Sequence, residues 1–389
     1  MMDKNQKLWN VNFIFICVVA FLSTLGTSIG TAILSRKAVY LGASAEIVGA
    51  INSVASISAL ICIPLAAPFI DYFNKKYVYA LVTLISALTL FGNAVTNTIG
   101  FMLALTFING IGKGISATSS LAIVSDTIPE SKMTAGITYF TIFQVASQAF
   151  GPSFGLALYD YAGYGTTFLI SSVMVFLTVI MIFKIPTPSH KRQSKFKFKI
   201  RNAYAKEAIS PAVMMVFLSL AYSTVNSFLI VYADSIQIQD IGLYFTVNTI
   251  VLLFSRPLVA KLSERIKERT IIVAAVLFTI AALFLISMGT SLIHFIIAAV
   301  FAAFGYGSLQ PMIQAMCVES VGPDRRGAAS STSYMGTNIG YLLGPTLGGM
   351  IAGRFGYSRM FASMNISLII AILFYFGFVE RRKKNEAYR

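Results

Sequence analysis

Charged side chains are scarce in this 389-residue sequence, where Asp, Glu, Lys and Arg together make up only 12% of the residues. A water-soluble globular protein carries about 25%, because polar groups must cover the surface that faces water. Hydrophobic residues account for 56%, and the mean hydropathy is +0.75. So few charges cannot cover a soluble body of this size, and the composition therefore indicates an integral membrane protein.

Histidine and cysteine are scarce as well, with two and three residues respectively. His190 and His294 are far apart, and the cysteines lack the spacing of metal ligands. No His or carboxylate is placed beside a Ser or Thr in a way that would activate a nucleophile. The glycines around Gly112 lack the Lys-Ser/Thr ending of a nucleotide-binding loop. We expect no enzymatic activity, no catalytic residues, no metal and no cofactor.

Long apolar stretches fill most of the chain, and about 20 such residues suffice to cross a bilayer. The first stretch lacks a small-residue cleavage site, so we interpret it as a retained helix. The sequence predicts an all-α protein with twelve spans near 11–33, 47–69, 77–99, 101–124, 135–158, 164–184, 211–233, 240–260, 270–289, 292–317, 328–352 and 359–379.

The positions of lysine and arginine predict the orientation. Alternate loops collect 24 of the 30 basic residues if both termini are cytoplasmic, and the opposite loops collect four. This asymmetry follows the positive-inside rule. It also accounts for most of the net charge of +15, so nucleic-acid binding is not needed to explain it. The remaining cations are Lys113 and Arg256; Arg256 is close enough to a predicted helix end to extend toward water.

An internal repeat appears when the chain is shifted by 193 residues. Gly151-Pro152 then meets Gly344-Pro345, while Asp126 meets Glu319 and Lys113 meets Tyr306. We therefore predict a six-helix bundle at 1–184, a cytoplasmic basic linker at 185–210, and a second six-helix bundle at 211–389. The linker alternates Lys and Phe over 195–199, which is compatible with an ordinary connector or with contact to an anionic leaflet. Duplicated bundles of this kind are typical of secondary transporters.

Short motifs of charged residues and glycines recur in both halves of the chain. The loop after the second span carries Asp71, Lys75 and Lys76, and a weaker second copy includes Glu264 and Arg265. Small residues and Gly-Pro pairs follow in the fifth and eleventh spans, at Ser147, Gly151, Pro152, Gly155, Gly336, Gly340, Gly344, Pro345, Gly348 and Gly349. These motifs resemble those of the major facilitator superfamily, in particular its drug and metabolite antiporter (DHA1-like) branch, although both glycines of the family's loop motif are replaced after the second span. The resemblance covers essentially the whole chain and implies a twelve-helix transporter with alternating access.

Gating is the role that we expect for the residues of these motifs. Small residues four apart allow close helix approach, and proline permits a bend. Acids among the cytoplasmic cations could form ion pairs that close the inner face, although exposed pairs contribute only about 0–1 kcal/mol. The predicted gating residues are Asp71, Lys75, Lys76, Asp126, Glu264, Arg265, Glu319, Gly151, Pro152, Gly344 and Pro345.

Lys113 is the main candidate for substrate binding, since it lies midway along the fourth span. A charge at that depth costs roughly 2.5–3.5 kcal/mol, so it should face water or a partner. It could bind an anionic group, carry a proton, or pair structurally with carbonyls or an acid. None of the 15 acidic residues lies in the middle of a span. Further polar candidates at similar depth are Asn109, Tyr306, Gln310, Gln144, Gln148, Tyr222, Asn226, Asn248 and Asn338.

Together, these features predict an efflux antiporter for an anionic or zwitterionic metabolite or drug-like compound. The alternatives are a proton-coupled importer of a small organic anion and a transporter-like ligand sensor. The expected partners are a small-molecule substrate and the lipid bilayer, with protons as a candidate coupling ion. We expect a monomer in a bacterial cytoplasmic membrane.

Overall fold

The computed structural model describes residues 9–128, 133–185, 204–263, 265–322 and 325–379. The described residues are almost entirely helical, as expected for apolar segments that must satisfy their backbone hydrogen bonds within the bilayer. The helices are α1 (Val11–Tyr40), α2 (Ala45–Tyr72), α3 (Lys75–Val95), α4 (Ile99–Thr127), α5 (Met133–Phe183), α6 (Ile209–Ser235), α7 (Gly242–Ser263), α8 (Glu268–Ser287), α9 (Leu292–Phe304), α10 (Tyr306–Glu319), α11 (Arg326–Phe355) and α12 (Tyr357–Phe374).

Ten segments of the described residues are long and apolar enough to cross a membrane. The predicted spans 135–158 and 164–184 are continuous in α5, which changes direction at Gly163, where φ is 75°. The predicted span 292–317 is one apolar segment but consists of two helices, α9 and α10, which meet at Gly305. The all-helical membrane fold is confirmed, while the count of twelve spans and the cytoplasmic termini stay predictions.

By contacts, the chain divides into two compact units. Unit 1 comprises residues 1–34 and 61–198, and unit 2 comprises 35–60 and 199–389. The predicted bundle boundaries at 184 and 211 remain predictions, and most of the basic linker lies outside the described residues.

Unit 1 is organised around α3, which packs on both α4 and α5. Asn74 caps α3 by accepting a hydrogen bond from the backbone N–H of Lys76 at 2.9 Å. One core cluster includes the fully buried Phe13, Ile123 and Ile182. The single tryptophan, Trp9, lies immediately before α1, with its ring centroid 5.5 Å from that of Phe13 and 5.0 Å from that of Tyr139 on α5.

Unit 2 is organised around α6, which packs on α10, α11 and α12. A small core of Ala205, Ala208, Ala212, Cys317 and Ala329 allows the chain before α6 to approach α10 and α11 closely. In contrast, outward-facing apolar side chains such as Leu277 and Leu373 are 56% and 63% exposed. Such exposure is expected where the surrounding solvent is lipid.

Candidate functional site

Lys113 lies on the side of α4 that faces away from lipid. The exposed apolar side chains of α4, including Phe101 and Ile108, surround Ala104 on one face. At 3.6 residues per turn, Lys113 is turned by about 180° from Ala104. Its side chain is nevertheless exposed. An exposed cation on the face opposite the lipid-facing residues is a candidate for contact with water and solute.

A polar stripe continues along the same face of α4 at spacings of three and four residues, formed by Thr106, Asn109, Lys113, Ser116 and Ser120. Asn109 Nδ2 donates a hydrogen bond to Thr89 Oγ1 of α3 at 2.8 Å. Gly112 faces the Val82 carbonyl oxygen, which would lie only 3.2 Å from an added Cβ. The α3–α4 contact therefore fixes the rotation of α4 and, with it, the direction of Lys113.

No acidic side chain or hydrogen-bond acceptor contacts the Lys113 ammonium group within the part of the chain that the structure describes. The alternative that Lys113 pairs structurally with carbonyls or an acid therefore finds no such group among these residues. A cation in the middle of a span must face water or a counter-charge, so an unpaired ammonium at this position favours an anionic ligand.

Four tyrosines come together in unit 2, from four different helices. Tyr222 (α6) and Tyr306 (α10) stack with ring centroids 3.6 Å apart and planes 5° apart. Tyr341 (α11) shares a hydroxyl–hydroxyl contact with Tyr306 and accepts a hydrogen bond from Asn226 Nδ2 at 3.2 Å. Tyr244 (α7) is the fourth and interacts electrostatically with Tyr222. Three of the predicted binding residues, Tyr222, Asn226 and Tyr306, therefore belong to one polar aromatic group.

Arg256 of α7 adds a cation to this group. Its guanidinium lies within electrostatic reach of the Tyr222 and Tyr306 hydroxyls. Its buried Nε atom has no acceptor among the residues that the structure describes. The expectation that Arg256 simply extends to water at a helix end is at odds with this position. Oγ of the neighbouring Ser255 donates a hydrogen bond to the Ala303 carbonyl oxygen at 3.4 Å. This contact holds α7 against α9.

The helix break at Gly305 positions Tyr306. A Cβ at residue 305 would lie 2.6 Å from the backbone nitrogen of Thr279 and 2.9 Å from the Ala275 carbonyl oxygen, so only glycine fits. The new helix α10 begins at the next residue. Tyr306 therefore lies in the first turn of a half-helix, an arrangement that places positive helix-dipole ends inside transporters.

The remaining predicted binding residues make no hydrogen bond to this aromatic group within the described part of the chain. Asn248 donates to the Ala299 carbonyl at 2.9 Å, and Asn338 donates to the Tyr334 carbonyl of its own helix at 2.9 Å. Gln310 and Gln144 are half-buried and Gln148 is exposed. No side-chain hydrogen bond within the described ranges joins these glutamines to Lys113 or to the tyrosines. Tyr341 and Arg256 are not among the binding residues predicted from the sequence. The sequence indicates how deep a residue lies in its span, but it does not show which helices contact one another.

The glycine motifs produce the close helix contacts expected of them. Along α11, Gly336, Gly340, Gly344 and Gly348 face Ala212, Val216, Leu220 and Thr224 of α6, both sets spaced by four. In unit 1, Gly151 and Gly155 of α5 face the adjacent residues Ser28 and Ile29 of α1. Pro152 and Pro345 lie inside these two helices.

The charged gating candidates are only partly described. Lys76 Nζ donates to the Ile185 carbonyl at 2.8 Å, and Lys75 also has a contact. Arg265 and Glu319 are exposed. The side chains of Asp71 and Asp126, and the whole of Glu264, lie outside the described residues, so the proposed ion-pair latch stays a prediction.

An ion pair and a hydrogen bond hold segment 35–60 in unit 2, where it packs on α6 and α11. Arg36 Nε contacts Asp234 Oδ2 at 2.8 Å, and the side chains are 25% and 32% exposed. Thr346 Oγ1 donates to Ser53 Oγ at 2.8 Å. The sequence alone does not pair Arg36 with Asp234, because the two residues are far apart along the chain.

Comparison with known proteins agrees with this geometry. A family model described as Major Facilitator Superfamily matches residues 16–239 and 211–388. The multi-drug resistance efflux pump PmrA homolog of Lactococcus lactis is 19% identical over 85% of this chain and 84% of its own length. The staphylopine export protein of Staphylococcus aureus is 20% identical over 96% of this chain and 97% of its own length.

Among solved structures, a variant of the nucleoside transporter NupG has a TM-score of 0.81 at 16% identity, covering 94% of this chain and 100% of that one. A human organic anion transporter has a TM-score of 0.68 at 17% identity, with coverages of 93% and 99%. At such identities the structures establish the fold alone. The family match confirms a multi-pass cell-membrane transporter rather than an enzyme, and the relatives named as efflux pumps confirm the resemblance to the drug and metabolite antiporter branch. This chain belongs to the Major Facilitator Superfamily.

Proposed function

We propose that this protein is a secondary active exporter of a small anionic or zwitterionic organic solute. The observation that carries the proposal is Lys113, an exposed cation opposite the lipid-facing side of α4 with no acidic partner among the described residues. A carboxylate or phosphate of the solute would provide the missing counter-charge. The relatives named as efflux pumps and the relative named as a staphylopine export protein support export.

Alternating access would use the contacts described for the helices. The glycine stripes of α5 and α11 provide closely packed surfaces on which helices can shift with little side-chain rearrangement. We propose that the contacts of segment 35–60 close the outer side in one state and separate in the other. The Arg36–Asp234 pair and the Thr346–Ser53 hydrogen bond would then break during each cycle.

Counterflow in proteoliposomes tests the proposal. A thermal-stability screen over carboxylates, amino acids and nucleosides selects the solute that stabilises the purified protein most, and its labelled form is then exchanged. We expect Lys113→Ala to lower exchange at least about tenfold, because charged hydrogen bonds contribute about 1.5–3 kcal/mol, while Lys113→Arg retains part of it. Lys267→Ala is the matched control, since Lys267 is an exposed lysine at the N-cap of α8 whose side chain makes no capping hydrogen bond.

Exchange by Lys113→Ala at the wild-type rate would refute the substrate role of Lys113. Solute binding without any exchange by the wild type would instead indicate a sensor. An imposed pH gradient separates the directions of coupling: an antiporter accumulates solute when the lumen is acidic relative to the bath, and a symporter when the bath is acidic.

A further inference from the structure

Arg256 and the tyrosines around it form a second cationic group in the protein, in unit 2, that nothing in the transporter proposal uses. The guanidinium interacts electrostatically with Tyr222 and Tyr306, yet no acidic side chain contacts it among the described residues. Its Nε atom is buried and lacks an acceptor in the same set of residues. A buried guanidinium N–H without an acceptor is rare in proteins, because the lost hydration must be replaced.

The cluster contains a further polar atom without a partner. The Tyr244 side chain is only 2% exposed, and its hydroxyl has no hydrogen-bond partner in the described part of the chain. Tyr244 lies on the same helix as Arg256, about 18 Å from it along the axis, and interacts electrostatically with Tyr222. Tyr222 therefore interacts with two residues whose donors lack acceptors, Arg256 and Tyr244, and the oxygen atoms of an anion would satisfy the donor of Arg256.

The same cluster offers a flat aromatic surface. Tyr306 is 5% exposed, and its ring is stacked in parallel on the Tyr222 ring. Tyr222 remains partly exposed after this stacking. A planar ring can extend the stack, since aromatic surfaces favour parallel offset contact. An aliphatic solute of equal size gains less from such a surface.

We infer that the Arg256–tyrosine cluster binds a planar aromatic anion, with its carboxylate or related acid group on Arg256 and its ring on Tyr222. A guanidinium presents its donors in a fixed fork that matches a carboxylate, and the tyrosine stack selects for planarity. The inference rests on the proposed transport function, because it names the class of solute that unit 2 recognises. Lys113 is not part of it.

Direct binding to the full-length protein in lipid nanodiscs tests the inference with three probes. Tritiated 2-naphthoate is a planar anion, 2-naphthamide is planar and neutral, and decahydro-2-naphthoate is an anion of similar size that is not flat. We expect wild-type affinity for 2-naphthoate to exceed that for the amide at least about tenfold and that for the decahydro compound about two- to tenfold.

Variants then assign the contacts. Arg256→Gln should lower affinity for 2-naphthoate about tenfold or more and leave the amide unchanged, whereas Arg256→Lys should give an intermediate loss because lysine lacks the fork. Arg359→Gln is the control, since Arg359 is an exposed arginine of α12. Tyr222→Leu should abolish the preference for the flat ring, and Tyr222→Phe should keep it.

Equal affinity for 2-naphthoate and its amide, wild-type binding by Arg256→Gln, or no binding of 2-naphthoate to the wild type would each overturn the inference. If Arg256→Gln does not fold, the Tyr222→Leu and Tyr222→Phe pair still decides whether the ring stacks there. The result is independent of the counterflow experiment. A protein that exchanges its solute but ignores 2-naphthoate remains a transporter without this aromatic-anion site.

Discussion

The contact between α11 and α6 allows a quantitative prediction for Gly340→Ala. An added Cβ would lie 2.6 Å from the Val216 carbonyl oxygen and 2.8 Å from the Leu220 backbone nitrogen. Ordinary contact begins at 3.4 Å, so the helices must separate by about 0.8 Å. Backbone atoms cannot rotate aside as a flexible side chain can, and the rest of the glycine stripe must separate with them.

Two opposing terms set the size of the effect. Overpacking of a tight contact lowers the stability of the folded protein by about 1–3 kcal/mol. Replacing glycine by alanine in a helix raises that stability by up to about 1 kcal/mol. A net loss of about 1–2 kcal/mol lowers the melting temperature by a few °C in a unit of this size. Gly100→Ala is the matched control, because nothing lies within 4 Å of a Cβ at that helical position.

Thermal unfolding of the purified protein in detergent, followed by the loss of helical circular dichroism, measures both variants. Gly340→Ala should melt a few °C below the wild type, while Gly100→Ala melts at the wild-type temperature or slightly above it. A Gly340→Ala protein that is as stable as Gly100→Ala would refute the reasoning, because the helices would then tolerate a Cβ at their contact.

The Arg36–Asp234 ion pair and the turn at Gly163 can both be tested by substitution. Arg36→Gln or Asp234→Asn should raise labelling of Ser56→Cys by an impermeant maleimide about two- to fivefold, since a partly exposed ion pair contributes up to about 1 kcal/mol. Ser56 is a buried residue of the same segment that takes no part in the Thr346–Ser53 hydrogen bond. The exchanged pair Arg36→Asp with Asp234→Arg should restore slow labelling, and unchanged labelling in both single variants would contradict a closing role. Gly163→Ala should lower the free energy of unfolding by about 1–3 kcal/mol, because φ 75° and ψ 178° suit only glycine. Gly165→Ala, two residues later, should be close to neutral, since its Cβ would lie at an ordinary 3.6 Å from the Ala94 carbonyl oxygen. Equal melting temperatures for these two variants would show that the backbone at residue 163 adjusts to the side chain.

Features that depend on local sequence could be predicted. Gly340 and Gly344 are four residues apart, and this spacing alone predicts a helix surface that approaches another backbone closely, which the structure shows against α6. Composition likewise predicts the membrane-spanning helices, because a polypeptide in lipid has few other ways to satisfy its backbone.

Features that depend on long-range contacts could not be predicted. The sequence indicates how deep Arg256 lies in its span but not the direction in which its side chain leaves the helix. Its electrostatic interaction with Tyr222 and Tyr306 therefore follows only from the packing of three helices. Tyr341 resembles any other membrane tyrosine until α11 brings it to Asn226. The break at Gly305 is hidden in a continuous apolar run, since the close approach to Thr279 that requires it comes from another helix.

The single tryptophan makes the protein its own optical reporter. Trp9 precedes α1, and its ring contacts Tyr139 of α5, so its emission depends on how the beginning of one helix meets another. No competing indole is present anywhere in the chain. A solute that shifts α1 relative to α5 would therefore change the emission of unlabelled, unmutated protein, and the kinetics of that change could be recorded in real time by stopped flow.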